Sequence, residues 1–316
     1  MEVYRNREKK KILTLIDKGW FNNDTGDGEF GGHNYKFILK NSDNNFFPPI
    51  LNDAKEYFKY NNIEWWKGNE PTGHTLSSQI SCLNHLFFIR SDKEAVMAVL
   101  SSFSNNFIDV LPILTDRYKP AYISFEQVTD ADLLNEGKPS RGSICTSIDA
   151  CIYALHKDGT KWIIPIEWKY TESYADIDKS TGPSGEIRCQ RYNGLIYKSS
   201  QLIYDRLLDR KNLYFYEPFY QLMRQTLWAE QLVNNNKTET NNADNYIHLN
   251  IIPYENIDLL ERKYACSKND MPTTWRSCLV DQSKYKIISP QILLSNISRK
   301  YDNLKQYLNE RYWKYS

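Results

Sequence analysis

Two side chains that can do chemistry stand two residues apart in an otherwise apolar stretch: Glu167 and Lys169, within WIIPIEWKY (162–170). A run this rich in β-branched and aromatic residues predicts a strand, and a strand puts residues i and i+2 on one face. Trp162, Ile164, Ile166, Trp168 and Tyr170 then share a large apolar face, which sends Tyr170 into the core. Ile163, Pro165, Glu167, Lys169 and Thr171 share the other face. A carboxylate or an ammonium in such a place is costly unless it is paired or bound to metal. Upstream, Asp149 interrupts a second apolar run, SIDACIYAL (147–155). Between the two runs lies His156-Lys157-Asp158-Gly159, and Asp-Gly between strands predicts a hairpin. That hairpin brings Asp149, near the start of one strand, toward Glu167 and Lys169, near the end of the next.

Two carboxylates and one lysine at one end of a sheet fit phosphodiester hydrolysis. Mg²⁺ (with Mn²⁺ as a substitute) takes one or two carboxylates and keeps water and substrate phosphate as its other ligands. Asp149 and Glu167 are the candidate ligands, and the main-chain carbonyl of Trp168 could complete the set. Lys169 could orient a water or stabilise the transition state electrostatically. Taken singly, each part has an ordinary reading. A Glu-x-Lys triplet on a strand is commonly a solvated face, and a lone Asp early in a strand says less still. The joint pattern favours chemistry: an Asp strand, an Asp-Gly turn and a Glu-x-Lys strand, with helices before and after. A carboxylate-pair hydrolase such as a glycosidase is another chemistry open to two acids, but phosphate chemistry accounts better for the lysine.

The positioning elements follow from periodicity. A short helix (about 5–18) is followed by an irregular region rich in Asn, Gly and aromatics. A helix begins near Thr75, with Leu76, Ile80, Leu83 and Phe87 as its stripe and Thr72 or Thr75 as its cap. A second runs from Lys93 to Phe103. Ala121 to Val128 reads as a strand, and Thr171 to Gln190, with Gly182-Pro183-Ser184-Gly185, as a loop. Helices are expected at about 193–210 and from Pro218, with proline in the first turn. The Asn-rich segment 234–245 is a surface loop, and Tyr246 to Tyr254 alternates as a strand. From Ser289-Pro290 one long amphipathic helix is expected, with Leu294, Ile297, Tyr301, Leu304 and Leu308 as its stripe. It packs on the body or pairs with another chain. The order of elements predicts an α/β fold: a mixed central sheet flanked by helices (71–255), with an N-terminal elaboration (1–70) and a C-terminal one (256–316).

Composition narrows the class without naming it. The 316 residues carry 40 basic and 39 acidic side chains, a net charge of +1. No overall basic excess therefore marks a nucleic-acid binder, although a local basic groove suffices for one. No apolar run reaches the ~18 residues of a membrane span, so no membrane partner and a cytoplasmic location are expected. Six scattered cysteines form no CxxC pair, which predicts buried reduced thiols. Five histidines show no HExxH spacing.

The stretches PTGHTLSSQISCLNHLFF (71–88), TSIDACIYA (146–154), IPIEWKYTESY (164–174) and FYQLMRQTLWAEQ (219–231) resemble the PD-(D/E)XK nuclease superfamily, and within it a bacterial family of restriction endonucleases. The resemblance spans about 65–255, and the IEWKYTE block is its most specific part. It matches Asp149 to the motif aspartate, Glu167 to the (D/E) and Lys169 to the lysine. Ile148 stands where the motif has its variable proline. The resemblance implies a restriction-endonuclease-like core, Mg²⁺ as cofactor, DNA as substrate and a role in defence. It also points to an upstream acid, for which Glu126 is the candidate, an exposed strand-end glutamate being its ordinary reading. Gln79, Gln221 and Gln225 could face the site, or serve as satisfied structural amides. Arg141, Lys179, Arg188, Arg191 and Lys198, in or beside loops flanking the Glu-x-Lys strand, could contact phosphates. A homodimer is the natural way to cut both strands of a palindrome. The alternative is a catalytically inactive DNA-binding or partner-binding module on the same fold.

Overall fold

The computed structural model describes residues 2–66, 68–141, 145–208 and 213–314. Its frame is a seven-stranded sheet: β3 (Phe107–Leu111), β4 (Ile123–Gln127), β5 (Ile148–His156), β6 (Lys161–Trp168), β7 (Asn245–Tyr246), β8 (His248–Ile251) and β9 (Tyr285–Ile288). A separate small hairpin joins β1 (Gly28–Phe30) to β2 (His33–Tyr35). The helices are α1 (Val3–Asp17), α2 (Leu51–Tyr60), α3 (Ser78–Leu86), α4 (Lys93–Ser101), α5 (Gly182–Lys198), α6 (Asp205–Leu208), α7 (Phe219–Asn234), α8 (Ile257–Leu260), α9 (Met271–Arg276), α10 (Pro290–Leu293) and α11 (Asp302–Leu308).

β5 and β6 form the expected antiparallel hairpin. Gly159 takes a positive φ of 86°. Asp158 accepts the Thr160 N–H at 2.9 Å, and His156 N–H closes the turn on the Thr160 carbonyl. β3 and β4 share the far edge of β5 one after the other, both antiparallel to it. β7 and β8 share the far edge of β6 in parallel, and β9 continues in parallel beyond β8. This is the mixed central sheet flanked by helices that the element order predicts. Strands β3 and β9 are additions to it, because short runs such as FIDVL and YKII carry too little pattern to stand out.

Alternation sorts the sheet into two faces. Ala150, Ile152, Ala154, Ile164, Ile166, Trp168 and Tyr170 enter one core, shared with α1 to α4 and the C-terminal segment. Cys151, Tyr153 and Ile163 enter a second core, shared with α5, α7 and α9. Helical layers cover both faces, so β8 buries His248 and Asn250 as fully as Leu249 and Ile251. The polar–apolar alternation there does not mark a solvent face. Tyr170 lies in the core as expected, its hydroxyl donating to buried Glu8 of α1 at 2.7 Å. No cysteine is in a disulfide, and only Cys189 is not fully buried. Among the described residues no helix is long and apolar enough to cross a membrane.

Four helix expectations change. Ser77, not Thr72 or Thr75, caps α3, its hydroxyl accepting from Ile80 N–H, while Thr75 donates to the Phe37 carbonyl. Pro218 is the residue before α7 rather than part of its first turn. The stretch read as loop to Gln190 is helical from Gly182. Pro183 suits a first turn, and Gly185 lets the helix start lie against Ser180, whose carbonyl carbon would be 2.2 Å from a Cβ at that position. That helix then ends at Lys198, where Ser199 turns extended and its hydroxyl bonds Glu230. Positions 209 and 210 of the expected 193–210 helix lie outside the described residues.

The single long C-terminal helix is also overturned. α10 stops at Leu293, Ser298 caps a new turn through its side chain, and α11 runs into a π-helical turn, Asn309–Trp313. Ser and Asn side chains compete with helical backbone bonds, and the intervening Ser295-Asn296-Ile297-Ser298 is dense in them. The stripe residues still reach the first core, where Leu294, Ile297, Tyr301, Leu304 and Leu308 are all buried. The helix therefore folds against its own body rather than offering this stripe to another chain. Asn84 of α3 fastens the segment. Its amide donates to the Tyr312 hydroxyl (2.9 Å) and the Asn45 carbonyl (3.0 Å), and its oxygen accepts the buried Phe47 N–H (2.8 Å).

Asn84→Ala should thus leave the Phe47 N–H buried without a partner and cost about 2 kcal/mol. Denaturant unfolding checks this, and a loss below about 0.5 kcal/mol would show that the C-terminal segment docks without it.

Candidate active site

The β5–β6 register is the starting point. Ala150 lies opposite Ile166, so one further step sets Asp149 opposite Glu167. The Trp168 N–H donates to Asp149 Oδ2 at 2.7 Å. A strand residue's N–H and C=O point to the same side, so the Trp168 carbonyl also faces the Asp149 strand. The next N–H, of Lys169, turns the other way to the Ile251 carbonyl of β8. Asp149, Glu167 and Glu126 line one cleft of about 600 Å³ at this end of the sheet, with Gln79 of α3 and Gln221, Arg224 and Gln225 of α7.

Glu126 is not the exposed strand-end residue of its ordinary reading. It is buried, and it sits where the β4–β5 ladder skips a pair between Phe125–Ala150 and Gln127–Ile148. Its φ of 49° lies in the left-handed region, a costly place for a side chain with a Cβ. The surroundings hold it there. Gln79 Nε2 and Ser147 Oγ each donate to its carboxylate at 2.8 Å, and Arg141 Nε donates to its carbonyl at 2.9 Å.

Glu167 and Lys169 are both buried and paired at 2.5 Å. Gln225 donates to the other Glu167 oxygen. Gln221 accepts from Lys169 at 2.7 Å and from the Tyr174 hydroxyl at 3.1 Å. Lys169 itself is not among the cleft-lining residues and stands behind Glu167 and Gln221.

The electrostatics follow from three neighbouring acids in one cleft, with Lys169 paired to Glu167 behind them. Burial pushes the Asp149 carboxyl well up, and the charges of Glu167 and Glu126 push it further, against Lys169 and the Trp168 N–H. Burial also raises Glu126, against its bonds from Gln79 and Ser147. Burial works against the charge on Lys169, but Glu167, Tyr174, Glu172 and Asp149 together hold its pKa well above the ordinary lysine value. Gln225 Oε1 is buried with no hydrogen-bond partner. An excess of negative charge and an orphaned oxygen on a cleft-lining residue fit a bound cation. Among the described residues no three His, Cys, Asp or Glu side chains form a ready-made metal cage. A Mg²⁺ site needs only one or two carboxylates, so Asp149, Glu167 and the Trp168 carbonyl remain a sufficient donor set.

The expected phosphate contacts are scattered. Gln79 lines the cleft, but its amide is already engaged by Glu126 and the Trp66 N–H. Arg141 spends its donors on the Glu126 and Phe125 carbonyls and the Tyr57 hydroxyl. Arg188, Arg191 and Lys198 lie on α5, which turns only Arg188 from an expected loop residue into a helical one, and Arg188 donates to the Lys179 carbonyl at 3.0 Å. Lys179 pairs with Glu217. None of these five basic residues lines the cleft. Among the described residues its Lys and Arg side chains are Arg5 and Arg224, which sequence reasoning passed over: α1 lies far from the motif in the chain, and Arg224 looked like an ordinary α7 charge. Phe30, Trp66 and His74 also line the cleft and were passed over as aromatics of an irregular segment.

Replacing Asp149 by Asn keeps an acceptor for the Trp168 N–H and removes one of the crowded charges. A carboxyl raised on folding favours the folded state when protonated, and that contribution is lost as pH rises through its folded pKa. Asp149→Asn should therefore be more stable than wild type by about 1 kcal/mol at pH ~8, with the gap narrowing toward pH ~4. Thermal unfolding across that range checks it, and an unchanged or widening gap at low pH would refute it.

No curated protein and no solved structure matches the chain significantly. A family model does match, and it covers residues 15–313. The match takes in the whole sheet and the cleft apart from Arg5, and it extends into both terminal segments, well beyond the 65–255 stretch that carries the motif resemblance. The chain therefore belongs to the family described as restriction endonuclease associating with ARP.

Proposed function

We propose that the chain is a Mg²⁺-dependent endonuclease of the PD-(D/E)XK type that hydrolyses DNA phosphodiester bonds in restriction-type defence. The observation that carries this reading is the facing of Asp149 and Glu167 across the end of the β5–β6 hairpin, with Lys169 paired to Glu167.

Asp149, Glu167 and the Trp168 carbonyl would hold the ion, with Mn²⁺ as a substitute. Bound there, it supplies charge stabilisation at the phosphate and a lowered pKa for a bound water. The chain's own groups do the rest. The pair of Lys169 with Glu167 keeps the ammonium charged and fixed, so that it favours the negative charge that grows on the phosphate in the transition state. Gln221 and Gln225 hold Lys169 and Glu167 in single orientations, which reduces reorganisation during reaction. Glu126 stands on the same cleft as a third acid, placed to accept a proton or orient a water.

Purified protein with Mg²⁺ should convert supercoiled plasmid to nicked or linear forms, and chelation should stop it. Glu167→Ala and Lys169→Ala should each slow cutting by about 10²–10³-fold or more. Cutting at the wild-type rate by both variants would refute the site assignment.

A further inference from the structure

The cleft has a second wall that the hydrolytic reading does not use. Phe30, at the end of β1, and Trp66 are stacked with ring centroids 5.3 Å apart and planes 27° apart. His74 stands edge-on to both, at 5.0 Å from Phe30 and 5.9 Å from Trp66. All three rings line the same cleft as Glu126, Asp149 and Glu167. Trp168, Trp228 and Trp275 are at most 1% exposed, whereas Trp66 is 41% exposed. A tryptophan kept for core packing would be covered as those are.

The wall is tied to the acids. Gln79 accepts the Trp66 N–H at 3.1 Å through its carbonyl oxygen and donates to Glu126 at 2.8 Å through its nitrogen. The bond to Trp66 is to its main-chain N–H, so one side chain ties the segment that carries Trp66 to the third carboxylate. Arg5 of α1 adds a cation to the same cleft, and its Nε is buried without a hydrogen-bond partner.

We propose that the exposed Trp66 and the half-buried Phe30, backed edge-on by the buried His74 ring, form a stacking platform for an unpaired nucleobase of the substrate, beside the acids that act on its backbone. The proposal rests on the nuclease reading for the identity of the substrate. Base–aromatic stacking tolerates any sequence because every base has a π-face. In a fully paired duplex both faces of a base are covered by its neighbours, so the platform can be used only by a single strand or by a base turned out of a duplex. Arg5 is then placed for the flanking phosphate.

The test uses the full chain carrying Asp149→Asn, so that probes survive, and measures binding by fluorescence anisotropy. Three DNA probes of about 20 nucleotides are compared: a single strand, a duplex with one mismatched base, and a fully paired duplex. Adding Trp66→Ala should weaken single-strand binding by about tenfold or more, leave the paired duplex within about twofold, and be rescued by Trp66→Phe. A matching loss on the mismatched duplex identifies a flipped base as a second source, and no loss there restricts the platform to single strands. Equal binding of the single strand with and without Trp66, or an equal loss on all three probes, would overturn the proposal. Plasmid cutting by the wild-type chain is followed in parallel. Cutting without a Trp66 effect removes the platform and leaves the nuclease, whereas Trp66-dependent single-strand binding without cutting keeps the platform and removes the nuclease.

Discussion

The antiparallel pairing of β5 with β6 is the constraint on which the site depends. Side chains alternate with period two, so a slip of one residue would move Glu167 and Lys169 into the apolar core and turn Ile166 and Trp168 toward the cleft. The register is held from both ends. At the turn, Asp158 and Gly159 close the hairpin in one geometry. At the open end, the Trp168 N–H is anchored on Asp149, and the Trp168 indole donates to Ser81 of α3 at 3.1 Å from within the first core. The residue that completes the proposed donor set through its carbonyl is thus the one that seals the opposite face of the sheet.

The site opposes the stability of its own scaffold. Three acids share one cleft, and Glu126 occupies a left-handed backbone position. Such conflicts persist only where neighbouring structure over-determines them. Here α3 and α7 stand on opposite sides of the sheet end and reach in with Gln79, Gln221 and Gln225. Arg141 closes the kink at Glu126 from behind through backbone carbonyls. Arg141 shows how a basic residue near the cleft can act on the protein: its fork donates to the Glu126 and Phe125 carbonyls on either side of the kink.

Much of this was legible in the sequence where the signal is local and periodic. The Asp-Gly turn, the alternation in WIIPIEWKY and the stripe of α3 specify the hairpin, the two faces and the helix over them. What was not legible depends on long-range placement. The left-handed turn at Glu126 has no composition cue, because Glu is not a residue that favours it. Phe30, Trp66 and His74 come from three separate segments, and nothing in their spacing brings them together. Gly182-Pro183-Ser184-Gly185 has the composition of a loop, yet proline in a first turn and a glycine at a close contact are also how a helix starts. The C-terminal stripe has helical period across a Ser- and Asn-rich break, so periodicity identified the buried residues correctly and the continuity of the helix wrongly.

The most direct test of the central claim is an anomalous-scattering map from crystals of the chain soaked in Mn²⁺. One strong peak is expected between the Asp149 and Glu167 carboxylates, with the Trp168 carbonyl as a further ligand and metal–oxygen distances of about 2.1 Å. Its loss in Asp149→Asn crystals, whose fold is otherwise kept, would complete the evidence. A peak held by other residues, or an unchanged peak in the variant, would show that Asp149 and Glu167 are not the metal ligands.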